Sequence, residues 1–242
     1  MDNRIDLTRK SLDATLIAGL PRSAVLRSMT KRPRLLIPFV SDDLAPSDVS
    51  SPVWDFAEEA VVGWYWNGEN APADRHFSAG LIWSGSFFYV RFEAMQGEPL
   101  VISNEPILTH QTDRLWDRDV CEIFVAPNSA DQNRYFEFEV APTGEWIDLA
   151  IDYTSGERVT DCEFHSGMES AALIENDRVI MAIRIPWTAF GKVPEPGDVW
   201  LGNIFRCVGE GETRGYLAWQ ATETAEPNFH VPSRFGELEF VK

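Results

Sequence analysis

The chain has 242 residues, of which 44% are hydrophobic, and a formal net charge of −17 at pH 7. That hydrophobic content is enough for a buried core and excludes global disorder. A surface this acidic repels phosphate backbones and anionic lipids, so we expect neither nucleic acid nor a membrane as a partner.

Residues 1–33 are basic relative to the rest of the chain and have no regular period, so we interpret them as an N-terminal extension. Their first residues lack the pattern of a secretory signal. No segment approaches the roughly 20 apolar residues that a membrane span requires. We therefore expect a soluble, cytoplasmic protein, or an exported one if the true start of the gene lies upstream.

From residue 34 onward, short runs rich in β-branched and aromatic residues alternate with clusters of Gly, Pro, Asn and Asp, as is typical of strands and turns. Two short helical segments are predicted, Trp54–Val62 and the turn after Pro186. The density of strands predicts one all-β domain over residues 34–242, an antiparallel β-sandwich of jelly-roll or immunoglobulin-like type. The predicted strands are Leu35–Val40, Gly80–Ile82, Phe87–Phe92, Val120–Val125, Tyr135–Val140, Trp146–Ile151, Ala172–Ile174, Val179–Ile185, Trp200–Cys207, Tyr216–Trp219 and Leu238–Val241.

The three cysteines, Cys121, Cys162 and Cys207, are too few and odd in number for a disulfide framework. Cys121 and Cys207 lie in predicted strands, and we interpret both as small buried residues. The sequence is compatible with one disulfide between two of the three cysteines. The glycine-rich segment Gly209–Gly215 lacks the lysine and hydroxyl pattern of a phosphate-binding loop and predicts a hairpin turn.

The most informative segment runs from Leu115 to Val125. Alternation along the strand places Cys121, Ile123 and Val125 on one face, and Glu122 on the opposite face. That second face is either solvated or functional. Alternation in the neighbouring strands predicts that it also carries other charged side chains, which an ordinary solvated sheet face would explain equally well. The predicted charged set is Arg91, Glu93, Glu122, Glu137, Glu139 and Arg184.

Trp116, Asp119, Glu122, Ile123 and Phe124 form a Trp-x-x-Asp-x-x-Glu-Ile-Phe pattern. This pattern resembles the sugar-site motif of the family 9 carbohydrate-binding modules. The resemblance extends over roughly residues 50–242. Further segments resemble strands of that family, in the family's order: Gly80–Trp83 with Phe87–Val90, Tyr135–Val140, Ile183–Trp187, Gly202–Arg206 and Pro232–Leu238.

The resemblance implies a non-catalytic domain that binds a mono- or oligosaccharide. The terminal sugar would lie between two aromatic rings, with carboxylates accepting hydrogen bonds from its hydroxyls. The rings are assigned to Trp116 and to Phe229, which stands where relatives carry tryptophan. Glu139 stands where a basic residue is expected. The predicted sugar-binding residues are Trp116, Asp119, Glu122, Glu137, Glu139, Asn203, Arg206 and Phe229.

Three of these assigned residues carry further expectations. Asp119 is expected to orient its loop rather than to touch the ligand. Asn203 and Arg206 face opposite ways by alternation, so at most one of them can line a given pocket. No catalytic residue and no partner enzyme can be assigned.

Relatives in the family can carry structural calcium. Asp113, Asp117 and Asp119 could supply oxygen ligands for such an ion, although their spacing is not that of an EF-hand. No other cofactor is predicted for a sugar-binding domain.

Two other functions remain open. Similar sandwiches serve as haem-binding subunits of redox enzymes, in which methionine, lysine or histidine holds the iron. The candidate haem ligands are Met95, Met168, Met181 and His165, which follow no pattern.

The other function is glycoside hydrolysis, which requires two carboxylates. Glu137 and Glu139 lie roughly 7 Å apart along one strand. Because acids on one strand face usually point in parallel, we rank hydrolysis lowest.

Overall fold

The computed structural model describes residues 32–242, so most of the predicted N-terminal extension lies outside the described residues. The described chain forms thirteen strands and six 3-10 helices. No helix among these residues is long and apolar enough to cross a membrane. The strands are β1 (Arg34–Pro38), β2 (Glu59–Val62), β3 (Phe77–Trp83), β4 (Phe87–Met95), β5 (Val120–Ala126), β6 (Arg134–Val140), β7 (Trp146–Asp152), β8 (Val159–Asp161), β9 (Glu169–Ile174), β10 (Arg178–Pro186), β11 (Val199–Val208), β12 (Gly215–Ala218) and β13 (Gly236–Val241). The 3-10 helices are Pro52–Phe56, Ala73–Arg75, Leu115–Asp117, Trp187–Ala189, Gly211–Thr213 and Pro232–Arg234.

The strands form two sheets. The eight-stranded sheet has the order β1-β13-β11-β5-β6-β7-β8, with β12 also paired to β11, and the five-stranded sheet has the order β2-β3-β4-β10-β9. Neighbouring strands are antiparallel, except that β1 and β13 pair in parallel with Arg34 opposite Glu237. The prediction of an all-β sandwich is confirmed, and the hairpin predicted at Gly209–Gly215 joins β11 to β12.

The main hydrophobic core lies between the two sheets. Cys121, Ile123 and Val125 point into it from the eight-stranded sheet, as strand alternation predicts. Phe88 and Val90 point into it from the five-stranded sheet. The core is rich in large aromatic rings, whose offset and edge-to-face contacts add specificity to the apolar burial. Trp187, Phe190, Trp200 and Phe240 form one connected group of such rings.

The helix predicted over Trp54–Val62 is wrong. Pro52–Phe56 form a 3-10 helix, and Glu59–Val62 form β2, which pairs with β3. Ala60 and Val62 are buried and their neighbours exposed, which is the two-residue alternation of a strand. The valines also favour a strand because they are β-branched. The turn predicted after Pro186 is present as the 3-10 helix Trp187–Ala189.

The prediction that six charged residues share one face is also wrong. Arg91, Glu93 and Arg184 lie on β4 and β10, on the face of the five-stranded sheet that points away from the core. On that face Arg91 pairs with Glu93 at 2.9 Å, and Arg184 pairs with Glu169 at 2.7 Å. The three remaining glutamates lie on the other sheet. Alternation assigns a side of each strand, but it does not say which strands belong to one sheet.

The outer face of the eight-stranded sheet is buried rather than solvated. A second hydrophobic cluster covers it, and the segment before β13 contributes Phe229 and Phe235 to that cluster. Glu122, Glu137 and Glu139 lie on this face, and each of these residues is at most 3% exposed. Burial of three acids beneath an apolar layer is the main departure from the predicted surface.

Gly202 on β11 occupies a position where the backbone comes close to its neighbours. A Cβ atom there would lie 2.6 Å from the Phe124 carbonyl oxygen and 2.6 Å from Leu238 Cδ1. We expect Gly202→Ala to lower the free energy of unfolding by about 1–3 kcal/mol, because the β5–β11 pairing must shift. Gly85→Ala, where no atom lies within 4 Å, is the matched control. Urea denaturation of both variants measures the difference, and equal midpoints would contradict the expectation.

Candidate functional site

A depression of about 610 Å³ opens on the outer face of the eight-stranded sheet. Side chains of β5, β6, β7 and β11 form its floor, and the 3-10 helix Leu115–Asp117 and the segment Pro227–His230 line its rim. We call this feature the outer-face depression. Four of the eight predicted sugar-binding residues line it: Trp116, Glu122, Glu137 and Phe229.

The aromatic rings of the outer-face depression differ in how much surface they offer. Trp116 and Tyr216 are half-buried, whereas Phe229 is only 9% exposed. Phe229 stacks on Phe205, with ring centroids 4.0 Å apart and an interplanar angle of 12°. One face of the Phe229 ring is therefore occupied by the protein. Trp116 is anchored through its backbone, because Arg214 Nη2 donates a hydrogen bond of 2.6 Å to its carbonyl oxygen.

Two glutamates of the floor, Glu122 and Glu137, meet a third, Glu139, which is fully buried and does not line the depression. We call these three residues the glutamate cluster. One carboxylate oxygen of each lies within 4.8 Å of the other two. Glu122 and Glu139 are direct cross-strand partners on β5 and β6. Burial raises the pKa of Glu122 to about 8 and that of Glu137 to about 7. The pKa of Glu139 is raised well above its ordinary value by burial, and further by its two acidic neighbours.

Hydrogen bonds to the glutamate cluster are few. The Cys207 thiol donates to Glu122 Oε1 at 3.4 Å. Glu137 Oε2 and both carboxylate oxygens of Glu139 have no hydrogen-bond partner among the described residues. Buried polar atoms are nearly always paired in folded proteins, so these three oxygens are exceptional.

His230 lies beside the cluster but does not neutralise it. Its Nδ1 is 2.8 Å from the Tyr135 hydroxyl, and its Nε2 is 3.9 Å from Glu137 Oε2. Burial lowers the pKa of His230 to about 3. The ring is therefore neutral at pH 7, and the contact with Glu137 is not an ion pair at that pH.

Asp119 is bonded within the protein rather than aimed into the depression. Its carboxylate accepts hydrogen bonds from the Val101 and Gly209 backbone N–H groups at 3.2 and 2.8 Å. These bonds tie the loop before β5 to the hairpin after β11. The position fits the expected role of orienting a loop, and Asp119 does not line the depression.

Asn203, Arg206 and Glu139 also do not line the depression. Asn203 donates to the Gln220 carbonyl at 2.8 Å and accepts from the Ile204 and Gln220 N–H groups at 2.9 Å. The Arg206 guanidinium lies on the other side of β11 and donates to backbone and side-chain oxygens near β4. Both polar groups are thus engaged by the protein itself. As alternation predicts, the two residues face opposite ways.

The depression includes residues that the sequence analysis did not select, among them Arg158, Arg214, Tyr216 and His230. Arg214 lies over the Tyr216 ring, with its guanidinium carbon 5.7 Å from the ring centroid. Arg214 belongs to the glycine-rich segment Gly209–Gly215 and Tyr216 directly follows it, so this segment could have been recognised as a site loop rather than as a simple turn. His230 directly follows Phe229 in the chain.

The three loop aspartates lie in different environments. Asp113 is exposed, Asp117 pairs with Arg114 at 2.7 Å, and Asp119 is buried in the bonds described above. Calcium at this loop stays a prediction.

The three cysteines are free thiols, with Cys121 and Cys207 buried and Cys162 exposed. Burial raises the pKa of the Cys121 thiol to about 12, which agrees with a core residue rather than a nucleophile.

The fold and the depression together define a β-sandwich with a small-molecule-sized, aromatic and acidic site on one outer face. Residues 48–242 match the family described as carbohydrate family 9 binding domain-like, and the chain belongs to this family. The family indicated by the Trp116–Phe124 motif is therefore confirmed.

Solved structures of similar fold include the following three. A candidate carbohydrate-binding protein from Bacteroides uniformis ATCC 8492 has a TM-score of 0.67 and 19% identity, over 87% of this chain and 100% of that one. A family 9 module from Caldicellulosiruptor kristjanssonii in complex with cellotriose has a TM-score of 0.61 and 15% identity, over 86% and 94%. The glucose complex of a family 9 module from the same organism has a TM-score of 0.58 and 16% sequence identity, over 86% of this chain and 95% of that one. At these identities the likeness establishes the fold.

One relative in sequence is an "Extracellular protein" of Arthroderma benhamiae (strain ATCC MYA-4681 / CBS 112371). It is 27% identical over 143 aligned positions, and the match covers 53% of this chain and 64% of that protein. The chain therefore spans less than two thirds of the length of this fungal relative.

Proposed function

We propose that this chain is a non-catalytic carbohydrate-binding domain that holds a mono- or oligosaccharide in the outer-face depression. The observation that carries the proposal is the placement of Trp116 at the rim of a depression whose floor contains Glu122 and Glu137. An apolar ring face and carboxylates are the two kinds of group that a sugar ring and its hydroxyls contact. Family 9 modules of C. kristjanssonii that share the fold hold cellotriose and glucose, which supports a gluco-configured ligand.

In this proposal Trp116 is the principal stacking platform. It is half-buried, so part of its ring is free, whereas Phe229 is stacked against Phe205 and offers less surface. The terminal sugar would lie between these two rings, with its hydroxyls directed to Glu122 and Glu137. The 610 Å³ volume lies within the roughly 300–1,000 Å³ range of small-molecule sites, which suits one or a few sugar units.

The arrangement of the carboxylates favours binding over hydrolysis. Glu122, Glu137 and Glu139 project from one face of neighbouring strands, and their oxygens converge within 4.8 Å. A glycosidase instead places two carboxyl groups on either side of the scissile bond. The haem alternative gains no support, because none of Met95, Met168, Met181 and His165 lines the depression.

Replacing Trp116 tests the proposal directly. We expect Trp116→Ala to weaken binding at least about 30-fold, or about 2 kcal/mol, because the principal stacking platform of the site is lost. The folded state should remain, since the ring is only half-buried. Calorimetric titration with glucose, cellotriose and xylo-oligosaccharides measures the affinity, and thermal unfolding of the same samples measures stability.

Trp54→Ala is the matched control, because Trp54 is a half-buried tryptophan that packs on the other sheet and donates to the Asp48 carbonyl at 3.1 Å. It should leave sugar affinity unchanged. If the wild-type protein bound none of these sugars, the proposal would be refuted. Equal loss of affinity in the two variants would refute the assignment of Trp116.

A further inference from the structure

Among the described residues, no positively charged group directly contacts the glutamate cluster, and Arg214 and Arg158 attract Glu122 and Glu137 only from a longer distance. Within residues 32–242, no lysine or arginine nitrogen lies within 4.0 Å of these three carboxylates. By contrast, the buried Glu145 pairs with Arg118 at 3.0 Å and accepts from the Thr143 hydroxyl at 2.8 Å. Three acids held together without such partners need some other group to stabilise their charged form.

A second observation is independent of their proximity. Three of the six carboxylate oxygens, Glu137 Oε2 and both of Glu139, are fully buried and accept no hydrogen bond from an N–H, hydroxyl or thiol group among the described residues. Within this part of the chain only a proton shared between Glu137 and Glu139 would pair them. A buried acceptor without a donor costs free energy that the fold elsewhere avoids. The missing partner must supply either a proton or a positive charge at the point where the three side chains meet.

We propose that the glutamate cluster binds a hard divalent cation of the calcium type. Three oxygens that all lie within 4.8 Å of one another can share a centre no more than about 2.8 Å from each, so a small inward movement of the side chains would bring all three to the 2.3–2.6 Å of a calcium–oxygen bond. Carboxylate oxygens select calcium, magnesium or manganese over softer metals. Because Glu122 and Glu137 line the outer-face depression, the ion has an access route and keeps coordination positions open toward it.

This site is distinct from the calcium predicted at the loop aspartates, and it goes beyond sugar binding. The ion would place a positive charge beneath the depression, directly against the glutamate cluster, whereas Arg158 and Arg214 belong to the lining of the depression. Open coordination positions on such an ion bind water or the hydroxyl oxygens of a ligand. Detection of the ion requires no sugar, so its test is independent of the proposed function.

The test uses the full chain, freed of metal by a chelator and then titrated with Ca²⁺, Mg²⁺, Mn²⁺ and Zn²⁺. We expect one of the first three ions to raise Tm by about 5–10 °C at a hundredfold excess over its Kd. Terbium luminescence, excited through the aromatic residues of the depression, reports binding at the same site. Glu139→Gln, which keeps the side-chain shape and does not line the depression, should abolish both signals, and Glu122→Gln should reduce both.

Two control variants separate this site from others. Glu145→Gln removes a buried glutamate that already has partners, and Asp113→Asn removes an acid of the predicted calcium loop. Both should retain the metal-dependent rise in Tm and the terbium signal. The proposal is overturned if no metal raises Tm, if Zn²⁺ raises it more than the other three, or if Glu139→Gln retains the rise. Loss of the rise in Asp113→Asn alone would place the ion at the loop and would also overturn it.

Discussion

Trp200→Ala should lower the free energy of unfolding by about 3–5 kcal/mol, the usual cost of removing a large ring from a well-packed core. The Trp200 side chain is 1% exposed and lies between the sheets. Its ring centroid is 4.8 Å from that of Phe240 and 5.1 Å from that of Phe190. Because these neighbours are also held by Trp187, they cannot move far enough to fill the space.

Trp200→Phe is the informative companion variant. The Trp200 indole N–H is buried and has no hydrogen-bond partner among the described residues, so phenylalanine keeps an aromatic ring while removing an unsatisfied donor. We expect its cost to be well below that of the alanine variant. Val193→Ala, at a side chain 53% exposed, should change the free energy of unfolding by less than about 0.5 kcal/mol. Urea denaturation ranks the three, and a Trp200→Ala protein as stable as Val193→Ala would contradict the core assignment.

The inner core was predictable because the alternation of side chains along each strand indicates which side of that strand is buried. Cys121, Ile123 and Val125 alternate with other residues along β5, and all three lie between the sheets. The helix expected over Trp54–Val62 failed because a short segment can satisfy two periods, and pairing with β3 decided between them. The parallel pairing of β1 with β13 joins the two ends of the domain, and no local pattern carries that information.

The candidate site was predictable only in part. Trp116 and Glu122 followed from a local motif, and both line the outer-face depression. The burial of the glutamate cluster did not follow, because it depends on Phe229 and Phe235, which arrive from a distant part of the chain. Alternation correctly separated Asn203 from Arg206. It could not reveal that other groups of the protein, rather than a ligand, would form hydrogen bonds with both side chains.

Arg206 provides the second large stability effect. Its side chain is 3% exposed, and its guanidinium donates three hydrogen bonds of 2.7 Å, to the Arg75 and Met95 carbonyls and to Gln96 Oε1. The first two acceptors border the five-stranded sheet, whereas Arg206 itself lies on β11. The side chain therefore ties the two sheets together at one end of the sandwich. Burial lowers its pKa, but arginine stays charged at any pH of interest.

Arg206→Ala should lower the free energy of unfolding by about 3–5 kcal/mol, because it leaves buried oxygens without donors and opens a cavity between the sheets. Arg206→Lys should cost less, since an ammonium group can still reach some of these oxygens, although it lacks the planar fork that bonds them simultaneously. The lysine variant also separates the structural role from the sugar-binding role predicted for Arg206. A side chain that acts only as a tie between sheets should leave the sugar affinity of folded Arg206→Lys within about twofold of wild type, while Tm falls. Calorimetry and thermal unfolding on the same samples give both values. A loss of affinity with unchanged Tm would return Arg206 to the binding site.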